Sequence, residues 1–90
     1  MAGESRAFAR VMPRSVLTAS DLATLSALAE LNARDVPEAC VEVARVIHRT
    51  PMGVRYHLGR LWGAGLVVVG STRLTLDGEC LANGMRRRAA

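Results

Sequence analysis

The chain has 90 residues, half of them apolar, and a formal net charge of +4. One Trp, one Tyr and one Phe are its only aromatics, so a single domain must build its small core from Leu, Val, Ala and Met. No apolar run approaches the roughly 18 to 20 residues of a membrane span, and the N-terminus lacks a continuous apolar h-region, so a cytoplasmic protein with no membrane partner is expected.

Residues 1–16 read as an N-terminal arm. Arg6, Arg10 and Arg14 recur every four residues, a cationic stripe if the arm is helical, and Pro13 would end such a helix. A dimerisation strap, an arm touching DNA and a partly ordered terminus are all open readings. Residues 17–90 read as one domain. Thr18-Ala19-Ser20-Asp21 is a capping box, with Leu17 and Leu22 placed as its hydrophobic staple. Leu22, Leu25, Leu28 and Leu31 follow as the stripe of a first helix ending near Asn32-Ala33. That stripe is core, or core shared with a second subunit. Asp35 and Glu38 can open a second helix in the same way. It carries Cys40, Val43, Ala44 and Ile47 and runs to about His48.

His48-Arg49 interrupts the apolar period. Thr50 is then a good N-cap, and Pro51 sits at the first helical position, where its missing N–H costs nothing. Val54, Leu58 and Leu61 are the core face of a third helix over 51–64. Gly65 should end it in the left-handed conformation, with Leu66 packed back on Leu61 in a Schellman motif. Away from the core face lie Met52, Tyr56 and Arg60, with Arg55 and Trp62 on one flank and His57 on the other. The outer face is cationic and aromatic, with no acid. This is what a helix-turn-helix, here about 38–64, requires: one helix braces, and the second offers its N-terminal side chains to base edges in the major groove. Gly53, Gly59 and Gly63 also project outward, either for close approach to a DNA backbone or because packing tolerates them.

Leu66 to Val69 reads as a strand, Gly70-Ser71 as a two-residue type II′ turn, and Thr72 to Thr75 as the returning strand. In that register Val67 faces Leu74. Thr75 caps a last helix from Leu76 to about Arg87, whose apolar side is Leu76, Cys80, Leu81 and Met85. Its Arg86-Arg87-Arg88 end complements the helix dipole.

The run from Val43 to Val67 resembles the helix-turn-helix of winged-helix regulators of the MarR and ArsR type. The residues that carry the likeness are Val43-Ala44, Ile47, Thr50, Val54, His57-Leu58, Leu61 and Gly65-Leu66-Val67. Leu74-Thr75-Leu76-Asp77-Gly78 looks like the "LTxxG" that follows the wing in that family. The likeness covers about Leu22 to Met85. It implies a mainly α (α+β) winged helix-turn-helix: a three-helix core, a short β-hairpin wing over about 66–75, and a C-terminal helix. It also implies a short strand before the second helix, for which 34–36 is the candidate, a basic wing residue meeting phosphate, and a homodimer.

Charge is distributed unevenly. All twelve basic residues are arginine. Residues 43–76 hold five of them and no acid, whereas 21–42 hold five acids and one arginine. A polyanion-binding face leaves this footprint; a solvated basic surface leaves the same one with less coincidence. No nucleophile elbow, phosphate loop or metal-spaced cluster occurs, so neither an enzyme nor a cofactor or metal site is expected, and the domain is small for an enclosed effector pocket. Cys40 and Cys80 read as reduced thiols in or near the core, or as a redox pair linking the second and last helices. The leading expectation is a double-stranded DNA-binding protein, a small transcriptional regulator. Met52, Arg55 and Tyr56 would touch bases, Arg49, Thr50, Gly53 and Arg60 would lie along the phosphates, and Ser71, Thr72 and Arg73 would add the wing. Two alternatives carry the same charge: an interaction module for an acidic protein, with Tyr56 and Trp62 as anchors, and an accessory DNA protein of a mobile element.

Overall fold

A computed structural model describes residues 16–31 and 35–89. The expected arm falls outside them except for Val16, as do the Asn32-Ala33 helix end and Arg34; the strand expected at 34–36 is replaced in its described part by a helix start, with Asp35 the N-cap and Val36 the first helical residue. Among the described residues the fold is mainly helical: α1 (Ala19–Glu30), α2 (Val36–Ile47), α3 (Pro51–Gly63) and α4 (Leu76–Ala89). α3 packs on both α1 and α2, and α4 packs on α1.

Each helix start follows from its cap. Thr18 Oγ1 accepts the Asp21 N–H at 3.1 Å while Asp21 Oδ2 accepts the Thr18 N–H at 2.8 Å, a complete capping box. Asp35 accepts from the Glu38 N–H at 2.8 Å, and Thr50 Oγ1 from the Gly53 N–H at 3.0 Å. The core is Leu25 and Leu28 of α1, Ala39, Cys40, Val43 and Ala44 of α2, Val54, Leu58 and Leu61 of α3, then Leu66, Val67 and Ala82. In α1 the buried side is shifted from the leucine stripe, because Asp21 and Thr24 are fully buried while Leu22 is only partly so. The Thr24 hydroxyl satisfies itself on Ser20 O at 2.9 Å.

α2 and α3 are each followed by a left-handed residue. His48 has φ 58°, and the Arg49 N–H reaches Ala44 O at 2.9 Å. Gly65 has φ 75°; its N–H bonds Trp62 O at 3.2 Å and the Leu66 N–H bonds Leu61 O at 3.1 Å. That pair of bonds is the Schellman motif expected from the sequence, and it buries Leu66 and Leu61 together in the core.

The expected two-stranded hairpin does not form. Among the described residues there is no regular strand, only one antiparallel bridge, Val67 with Leu74. The register is the expected one, with the Val68 N–H on Arg73 O at 2.8 Å and the Thr75 N–H on Leu66 O at 3.0 Å. What stops the ladder is Ser71. Its hydroxyl donates to Val68 O at 2.8 Å and accepts from the Arg73 N–H at 3.1 Å, the two groups that would have completed the Val68–Arg73 pair. The turn also differs from the type II′ expectation. Ser71 N–H closes on Val68 O at 3.0 Å, so Val69 and Gly70 are its centre, and Gly70 at φ 79° takes the third position, as in a type II turn.

α4 turns a different side inward from the one expected. Leu76 and Cys80 are exposed, while Gly78 and Ala82 are buried and Leu81 and Met85 pack on the core. The cause is a backbone contact. A Cβ built on Gly78 would lie 1.9 Å from Leu66 O, so only glycine lets α4 approach there. Thr75 fixes the approach: its hydroxyl donates to Gly65 O at 2.7 Å and accepts from the Gly78 N–H at 3.0 Å.

Candidate functional site

The outward face of α3 is held from behind by its apolar side and by one buried acid. Asp21, in the first turn of α1, is fully buried. Its Oδ2 accepts from Arg60 Nε at 2.8 Å as well as from the Thr18 N–H, and its Oδ1 lies 2.7 Å from His57 Nδ1. A carboxylate can only accept, so His57 Nδ1 carries the hydrogen. Burial raises the Asp21 pKa, but the Thr18 amide and the Arg60 and His57 side chains outweigh it and hold the carboxyl below its usual range. The same bond holds the Arg60 guanidinium even more firmly protonated. Arg60 also donates to Val16 O at 2.8 Å. Arg60 is thus engaged inward, across the α1–α3 contact. The sequence shows Asp21 as a cap and places Arg60 and His57 three residues apart on one helix; that all three meet is a tertiary fact.

The exposed side chains are Met52, Tyr56, Arg49 and Arg55. Met52 is 83% exposed and Tyr56 62%, unusual for side chains of their size. Arg49 reaches Ser20 Oγ at 3.0 Å. The Arg55 guanidinium lies over the Trp62 ring, 4.5 Å from its centroid, a cation–π contact two turns along the helix. Trp62 in turn donates from Nε1 to Ser71 O at 2.9 Å, tying α3 to the turn. The Arg60 guanidinium carbon lies 5.8 Å from the Tyr56 ring centroid. Met52, Arg55, Tyr56, Gly59 and Arg60 together line an open groove of about 520 Å³.

The residues singled out in the sequence therefore divide. Arg49, Thr50, Met52, Gly53, Arg55 and Tyr56 share the N-terminal half of α3 and its approach. Arg60 borders the same groove but is tied to Asp21. Ser71 is consumed by the turn, with its hydroxyl on Val68 and Arg73 and its carbonyl on Trp62. Thr72 and Arg73 line a different cleft, of about 530 Å³, with Leu28, Leu74, Asn83 and Arg86. Asp21 and His57 were absent from the expected set and are what orients it.

Among the described residues no group of three His, Cys, Asp or Glu side chains lies close enough to hold a metal ion, and no helix is long and apolar enough to cross a membrane. Cys40 is buried, which pushes its thiol pKa up against the smaller opposing pull of Arg55. Cys80 is exposed, and both cysteines are free. No family model, curated protein or solved structure matches the chain.

Proposed function

We propose that this chain is a double-stranded DNA-binding protein of the winged helix-turn-helix kind, a small transcriptional regulator that lays α3 in the major groove. The observation that carries the reading is the outer face of α3. Its N-terminal half and the turn before it present Arg49, Met52, Arg55 and Tyr56 to solvent in a stretch without an acid from Val43 to Leu76. α2 meets α3 through the three-residue turn 48–50, which fits a brace and a recognition helix. Gly59 adds support. A Cβ there would meet only the end of Arg55, at 3.6 Å, so no contact within the chain requires glycine, whereas a phosphate backbone lying close would. In this reading the 66–75 corner is a much reduced wing, and Arg60 is a brace with at most a secondary part in binding. A homodimer belongs to the same reading. Leu25 and Leu28 are used within the chain, so the candidate surfaces are the N-terminal arm and the outer side of α4, where Leu76 is exposed.

The test is fluorescence anisotropy of the purified chain on mixed-sequence duplex DNA across a salt series, with Arg49→Ala and Arg55→Ala alongside. Salt-sensitive binding that weakens in both variants is the expected result. A folded protein that ignores duplex DNA at low salt would overturn the proposal and favour an acidic protein partner on the same face.

A further inference from the structure

Resting on that reading, we infer that α3 selects its site through thymine methyl groups, met by Met52 and Tyr56, and that Arg55 serves the phosphates. Arginine is the side chain best suited to reading guanine, and the sequence makes Arg55 the obvious reader. Its position argues otherwise. Stacked on Trp62, one residue short of the end of α3, the guanidinium is drawn toward the C-terminal end of the helix. The N-terminal turns are the part of a recognition helix that reaches base edges. Trp62 is itself fixed by its bond to Ser71 O, so the platform under Arg55 does not turn away.

What the N-terminal turns offer instead is hydrocarbon. Met52, the second residue of α3, is the most exposed large apolar side chain of the described residues, and Tyr56 stands one turn behind it. The exposed lining of the groove they share with Gly59 is mostly apolar, and of the two arginines that border it Arg60 is paired with Asp21 while Arg55 is without an ion pair among the described residues. In the major groove one base edge matches an apolar surface: the C5 methyl of thymine, with the neighbouring phosphates within reach of Arg55. A guanine or cytosine edge offers no methyl to this surface.

The experiment starts from a duplex selected from a randomised pool by the full chain. Its thymines are then replaced one at a time by deoxyuridine, which removes a methyl and leaves pairing and charge unchanged. Binding should weaken roughly three- to fivefold at one or two positions, the scale of one buried methyl. The double variant Met52→Ala, Tyr56→Ala should bind thymine and deoxyuridine duplexes equally, and Met52→Ala alone should lose the effect at one position with an unchanged melting temperature, because the side chain stands in solvent. Arg55→Ala should weaken both duplexes alike. Salt-sensitive binding with no deoxyuridine effect at any position would overturn the inference and leave the DNA reading intact. So would a deoxyuridine effect that survives in full in the double variant, or a loss of guanine preference in Arg55→Ala. Absence of any duplex binding would remove both.

Discussion

Gly78 is the residue whose replacement the fold can least absorb. The obstacle to a side chain is the Leu66 carbonyl, a backbone atom buried in the corner where α3 ends, and neither partner can rotate away. Gly78→Ala should cost about 3 kcal/mol or more, read as a lowered midpoint in urea denaturation. His48 presents the opposite case. It is the only non-glycine residue with positive φ among those described, and it holds an αL position that glycine occupies without strain. His48→Gly should gain about 1 kcal/mol, the left-handed penalty less the added freedom of the unfolded chain. A loss of stability in the same denaturation series would mean that the imidazole makes a contact worth more than the strain.

Between elements, Asp21 is the main polar link. It starts α1 and binds two side chains of α3, so one carboxylate sets the cap and the docking of the outward-facing helix. Asp21→Asn keeps the shape and removes the charge; it should destabilise by about 2 to 3 kcal/mol. The native carboxyl titrates below its ordinary value of 3.8. Its stabilisation is therefore complete above about pH 4 and is lost as pH falls through the native pKa. Urea midpoints measured downward from pH 5 should fall in the wild type and fall less in Asp21→Asn. The helices were legible in the sequence because caps and periodicity are local: Thr18, Asp35, Thr50 and Gly65 act within six residues. Three features were not. Ser71 stops the ladder with a side-chain bond that competes with pairing. Gly78 rotates α4 through a backbone contact twelve residues away. Asp21, Arg60 and His57 meet only after α1 and α3 pack. The outward face of α3 was legible for the same reason as its core face, while the separation of Thr72 and Arg73 from it depends on how the corner folds over α1 and α4.

At the scale of the molecule, internal pairing trims the basic surplus of residues 43–76. Arg60 is matched by Asp21 and Arg45 by Glu42 at 3.3 Å, so among the described residues of that stretch Arg49, Arg55 and Arg73 are the cations without an ion pair. If each meets one phosphate, the logarithm of affinity should fall with the logarithm of salt at a slope of roughly −3 per chain. Removing Arg49 or Arg55 should flatten it by about one. The Asp21 carboxylate also divides folding in time. Its bond from the Thr18 N–H joins residues three apart, and its bond from Arg60 joins residues thirty-nine apart. The first closes almost without loop entropy, and the second waits for the chain to come together. The same atoms thus serve once early, in nucleating α1, and again late, in locking it. Thr18→Ala removes the other half of that cap, the Oγ1 that accepts from the Asp21 N–H, so stopped-flow measurements should find that it chiefly slows folding, whereas Arg60→Ala chiefly speeds unfolding. The loss of one residue would be felt on the way in, and of the other on the way out.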